Sequence, residues 1–151
     1  MTAGGTDHRP LAKELYGAEI LAHAREPRGG ELPEGAAVLQ RDNPLCGDRV
    51  RLHGEVGERA LAGLACETRG CQLCLASASM MCEEIEGRAL QECVALCSRV
   101  LALGAQDGPG VALPGDMHAL EKVRDFPERL RCVTLPWEAL MELLSASAER
   151  M

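Results

Sequence analysis

The run Asn43-Pro44-Leu45-Cys46-Gly47-Asp48 places a thiol and a carboxylate two residues apart on a segment that Pro44 and Gly47 shape into a tight turn. Two more cysteines, Cys71 and Cys132, stand far downstream. Cys71 falls where a strand is expected to give way to a helix, so backbone N–H groups and the helix dipole favour its thiolate. Cys132 falls near the start of the last helical region. Zinc takes four ligands drawn from thiolate, imidazole and carboxylate. Two loops and two helix starts can converge at one end of a sheet, which gives a candidate Cys₃Asp site of Cys46, Asp48, Cys71 and Cys132.

Spacing alone does not select this set. Cys71-x-x-Cys74 and Cys93-x₃-Cys97 would also serve a zinc ribbon or an iron–sulfur site. Close-paired metal thiols sit on turns, whereas Cys74, Cys82, Cys93 and Cys97 fall inside expected helices. For these four and Cys66 the plain reading is a small buried hydrophobe. His53 alternates onto a solvent face, and His118 lies on a short exposed helix. His23 lies late in the first helix, where a cation suits the dipole.

The elements that must position these groups read as follows. Residues 1–10 are polar and Gly-rich and are expected to be disordered, leaving 11–151 as one domain. Leu11, Leu15, Ala18 and Leu21 recur at helical spacing, and Pro27, Gly29 and Gly30 end that helix. Ala37-Val38-Leu39-Gln40 begins a strand-like stretch that leads into the Pro44/Gly47 turn. Residues 48–55 alternate, with Val50 and Leu52 on one face and Arg49, Arg51 and His53 on the other. Gly57 marks a hairpin, and a weak third strand follows over 61–65. Helices are expected over 71–86, over 89–103 with a Leu90, Val94, Cys97, Leu101 stripe, and over 116–123 with Asp116 as N-cap. Gly104 to Gly115 reads as a loop. Pro127 opens the last helical region, whose Trp137, Leu140, Met141 and Leu144 share a face. The fold class is therefore α+β: a three-stranded antiparallel sheet packed against about five helices.

Composition narrows the function. The chain has 151 residues, eight cysteines, three aromatics (Tyr16, Phe126, Trp137) and a formal net charge of −7. At this length it buries roughly 68–70% of its unfolded surface, so it folds without disulfides. An acidic surface disfavours nucleic acid. No apolar run reaches membrane-spanning length, and no signal-peptide core stands at the N-terminus. A cytoplasmic protein is expected, with its thiols reduced.

At this point the residues resemble a known family. Asn43 to Asp48 is similar to the NPxCGD signature of the IscU/NifU-like iron–sulfur assembly proteins. Gly70-Cys71 followed by Ala76-Ser77-Ala78-Ser79-Met80-Met81 resembles the family's second-cysteine helix. The segment from Gly115-Asp116 through Phe126-Pro127 to Arg131-Cys132-Val133-Thr134-Leu135 resembles its third-cysteine region, and Pro27-Arg28 a family pair after the first helix. Arg131 precedes Cys132 where the IscU branch has a His, Phe126-Pro127-Glu128-Arg129 stands where that branch has an LPPVK run, and a long insert separates Cys71 from Cys132. All three resemble the SufU branch.

The resemblance implies a SufE/NifU-like fold and zinc bound by Cys46, Asp48, Cys71 and Cys132. It implies a PLP-dependent cysteine desulfurase as partner, with downstream iron–sulfur acceptor or scaffold proteins. Cys46 would carry persulfide sulfur as in a zinc-dependent sulfurtransferase, and Arg131 would hold the site or contact the partner. An alternative is a scaffold on which a [2Fe–2S] cluster assembles on Cys46, Cys71 and Cys132, with Asp48 favouring release. A structural zinc protein with another task is a third reading. The chain departs from the family at Ala22 and Ala24 beside His23, and in its extra thiols Cys66, Cys74 and Cys82.

Overall fold

The computed structural model describes residues 15–104 and 112–150. The element order is α1 (Ala18–Arg25), β1 (Leu39–Asn43), β2 (Asp48–Val56), β3 (Leu61–Arg69), α2 (Gln72–Ile85), α3 (Leu90–Leu101), three 3-10 segments at Ala102–Gly104, Gly115–Asp125 and Pro127–Arg129, and α4 (Leu130–Arg150). The strands form one antiparallel meander in the order β1-β2-β3, so the α+β expectation holds. The expected disorder of 1–10, the first helix before Leu15 and most of the 104–115 loop lie outside the described residues.

Alternation makes the sheet one-sided. Val50 and Leu52 are fully buried while Arg49 is exposed, and Leu39 pairs with Leu52 and Arg41 with Val50 on that face. On the outer face Arg49 meets Asp42 at 2.7 Å and Arg51 meets Glu67 at 3.2 Å. Helix α4 packs on β1 and β2, and α2 packs on β3, α1 and α4. The β1–β2 turn is built as its composition requires. The Asn43 carbonyl accepts from Gly47 N–H at 2.8 Å and Cys46 N–H at 3.3 Å, and the Asn43 side chain accepts from Leu45 N–H at 3.2 Å. Gly47 has φ +79°, which only glycine adopts cheaply.

Helix α2 is the hub. Its small residues Ala76, Ser77, Ala78 and Ser79 are all buried and let neighbours approach closely. Ser77 Oγ donates to the Val133 carbonyl at 2.6 Å and accepts from Trp137 Nε1 at 3.1 Å. That pins α2 to α4, the helix that carries Cys132. Pro136 stands inside α4 and has no N–H for the carbonyl four residues back.

Several local expectations need correction. The first strand runs into the turn as expected but starts at Leu39 and not at Ala37, and β3 continues to Arg69 because its pairing with β2 extends to Arg49. Gly17 breaks the first helical stretch and caps α1, whose buried face is Ile20 and His23; Ala18 is exposed. In α3 the buried stripe is Cys93, Leu96, Cys97 and Val100, while Val94 and Leu101 stay exposed. Residues 115–125 are 3-10 and not α-helical, with Pro114 as N-cap. Asp116 is engaged by His23 instead.

Candidate metal centre

Each element delivers one donor. Cys46 sits on the β1–β2 turn, Asp48 opens β2, Cys71 caps α2, and Cys132 lies in the first turn of α4. The structure brings all four together. One ligand atom each from Cys46, Asp48 and Cys132 lie within 4.8 Å of one another. Cys71 joins them through Asp48, whose Oδ1 accepts from Cys71 N–H at 3.0 Å and whose Oδ2 lies 3.9 Å from Cys71 Sγ. Cys71 and Cys132 are close enough for each to perturb the other's ionisation. Asp48 and Cys132 are buried, Cys71 is half-buried, and Cys46 is exposed beside Leu45, which is 92% exposed.

The electrostatics follow from this crowding. Cys71 is held down to about 6: the Cys132 hydrogen bond is the largest cause, helped by the N–H groups of Cys74 and Leu73 at the helix start, against burial. The N–H of Cys74 reaches Cys71 Sγ at 3.4 Å. Cys132 is pushed up because it keeps its proton to donate to the Cys71 thiolate, and burial adds to that. Partial loss of solvent raises Cys46; the Asp48 N–H opposes this and the Asp48 carboxylate adds to it. The Asp48 charge opposes ionisation of all three thiols. Such a group stays only partly ionised by itself, and a cation would relieve the repulsion. Three soft thiols and one carboxylate oxygen are a donor set that suits zinc, so the residues present fit that metal.

Sequence reasoning missed the steric role of Gly70. A Cβ there would stand 2.8 Å from Asp48 Cγ, so the close approach of β3 to the carboxylate requires glycine. Its place directly before Cys71 was the available signal. The Arg131 guanidinium meets Glu138 at 3.4 Å, a carboxylate shared with Arg41 at 3.1 Å.

Among the described residues, no group of three or more clustered donors includes Cys74, Cys93 or Cys97, so the ribbon reading finds no geometry. These three are fully buried, as small hydrophobes are. His118 is exposed. His53 donates from Nδ1 to the Ala37 carbonyl at 2.8 Å. His23 is a buried strut: Nε2 meets Asp116 Oδ2 at 3.0 Å and Nδ1 meets Ser79 Oγ at 2.7 Å, while Ser79 Oγ accepts from Arg28 N–H at 2.7 Å. Glu83 lies 3.8 Å from the same His23 nitrogen and 3.6 Å from Arg28. This histidine–carboxylate cluster ties α1 to α2 and the 115–125 segment.

Comparison with known proteins agrees with this architecture. Residues 15–132 match the family described as the NifU-like N terminal domain. The chain is 33% identical over 129 residues to the zinc-dependent sulfurtransferase SufU of Bacillus subtilis, covering 83% of this chain and 86% of that protein. It is 32% identical over 135 residues to the iron–sulfur cluster assembly scaffold protein IscU of Streptococcus pyogenes, covering 89% and 85%. The crystal structure of a NifU-like protein from Brucella abortus superposes with a TM-score of 0.82 at 26% identity, covering 92% of this chain and 98% of that one. No helix among the described residues is long and apolar enough to cross a membrane. The chain belongs to the family of proteins built on the NifU-like N-terminal domain.

Proposed function

We propose that this protein is a sulfur acceptor in iron–sulfur cluster assembly, taking sulfur from a PLP-dependent cysteine desulfurase onto Cys46. The observation that carries it is the asymmetry of the site: Asp48 and Cys132 are buried, Cys71 is half-buried, and only Cys46 is exposed. Cys46, Asp48, Cys71 and Cys132 would hold zinc. Zinc bound there would keep the thiols ionised near neutral pH.

Cys46 sits on a turn fixed by Asn43, so its sulfur can meet a partner while the other three donors stay in place. The Cys46 thiolate attacks the terminal sulfur of the partner's persulfide; a new S–S bond forms on Cys46, the partner's S–S bond breaks, and the partner's thiolate leaves. Asp48 is a harder and more exchangeable ligand than a thiolate, which suits a site that must release one donor. The PLP chemistry belongs to the partner, and downstream acceptors would take the sulfur. Arg131 and Leu45 would lie at the contact.

The test is desulfurase turnover with and without the chain, together with mass spectrometry of Cys46. Stimulation and a single added sulfur on Cys46 are expected. Equal rates, or full stimulation by Cys46→Ala, would sink the reading. The alternative is a scaffold for a [2Fe–2S] cluster as cargo on Cys46, Cys71 and Cys132. Convergence of three thiols and the likeness to the scaffold protein of Streptococcus pyogenes support it. Anaerobic reconstitution decides between them: a cluster that passes to an apo-acceptor favours the scaffold.

A further inference from the structure

Two more thiols lie close together outside the Cys46 site. Cys66 on β3 and Cys82 in the last turn of α2 flank the same point beneath Gly29, and each perturbs the ionisation of the other. Cys71 and Cys82 stand eleven residues apart on α2, about 16 Å along its axis, so this pair is separate from the metal centre. Among the described residues no cluster of three or more metal-binding donors includes either thiol. A dithiol with no third donor is poorly suited to zinc.

The loop after α1 lies directly on the pair. Gly29 has φ +119°, its carbonyl accepts from Cys66 N–H at 3.3 Å, and a Cβ there would stand 3.2 Å from Cys82 Sγ and 3.4 Å from Cys66 Cβ. Beside this lid is a cavity of about 230 Å³ lined by Arg28, Cys66, Glu67, Thr68 and Ser79 among others. Arg28 is 69% exposed at its rim. The cavity brings a small polar solute up against Cys66, which is itself only 7% exposed.

We propose that Cys66 and Cys82 are a modification site, forming a reversible disulfide on reaction with a small hydroperoxide. Cys66 is the attacking thiol. Cys82 S–H donates to it and Thr68 Oγ1 lies 3.4 Å away, which holds Cys66 below the usual thiol range, while Cys82 is pushed up by the same contact. The Cys66 thiolate attacks one peroxide oxygen, the O–O bond breaks, and hydroxide leaves and is protonated to water. The Cys82 sulfur then attacks the sulfenic sulfur of Cys66; the S–O bond breaks, and a second water leaves with the Cys82 proton. The two thiols lose two electrons and hydrogen peroxide gains them. The bond would tie β3 to α2 beneath Gly29 without touching the Cys71 end of the helix.

The test uses the zinc-loaded full chain treated with hydrogen peroxide and mapped by non-reducing peptide mass spectrometry. The expected result is a Cys66–Cys82 linked peptide, a loss of two free thiols per chain reversed by dithiothreitol, and unchanged zinc content. Both residues remaining alkylatable while zinc is lost would overturn the proposal, as would Cys66 sulfinic acid with no link. In Cys82→Ser the reaction should stop at a Cys66 sulfenic acid that dimedone captures; no capture would count equally against it. The wild-type map needs no desulfurase, so it stands or falls separately from the role of Cys46.

Discussion

Helix α2 carries a thiol contact at each end, and the two are built from different neighbours. At its N-terminus Cys71 meets Asp48 and Cys132, with Cys46 beside them. A turn, a strand start and a helix start supply these partners, and one donor is open to solvent. In its last turn Cys82 meets Cys66, with both residues buried. The helix dipole adds to the contrast, since the first turn stabilises an anion and the last turn opposes one. Cys71 falls to about 6, chiefly through Cys132 and then through the N–H groups at the helix start, while Cys82 rises through Cys66 and burial. Two touching thiols are therefore not a metal site by themselves. A carboxylate, a third thiol and the positive end of a helix make one; Cys66 and Cys82 stand in no such cluster of donors.

Removing one thiol from each region gives the largest expected contrast. Cys132→Ala should abolish stoichiometric zinc binding, because a tetrahedral site loses one of four donors, whereas Cys82→Ala should leave zinc unchanged. Metal content of the purified variants checks this; equal zinc loss in both would erase the distinction. Next come the two glycines that let backbone approach each region. Gly70→Ala drives a methyl into Asp48 and should cost about 1–3 kcal/mol together with weaker zinc binding. Gly29→Ala meets both Cys66 and Cys82 at a positive φ and should cost about 1–3 kcal/mol with zinc affinity intact. Urea midpoints and zinc titrations separate the two. The smallest effect on stability belongs to Leu45→Asp, within about 0.5 kcal/mol because the side chain is exposed. It should keep zinc yet lower desulfurase stimulation, and unchanged stimulation would remove Leu45 from the partner contact.

Much of the site was legible before folding, because its parts are local. The Asn43–Asp48 turn follows from Pro44, Gly47 and the Asn43 side chain, and its hydrogen bonds close within five residues. Cys71 reads as a helix start because Gly70 precedes it and an unbroken helical run follows. Other features were not local. The buried face of α3 could not be chosen by periodicity, since Leu90, Val94 and Leu101 are as apolar as Leu96 and Val100; packing against α4 chose the stripe. Asp116 looked like a helix cap, but His23, 93 residues earlier, takes its carboxylate.

The sequence by itself determined which residues could serve as ligands, where the strands alternate, and that small residues line the middle of α2. These depend on side-chain chemistry and on backbone preferences spanning a few residues. Only the tertiary structure decided which thiols meet. Cys46 and Cys132 come together because α4 packs over β1 and β2 while Ser77 holds it against α2. Cys66 and Cys82 come together because α2 folds back along β3. Contacts of that kind are set by how helices pack on a twisted sheet, and no spacing along the chain encodes them.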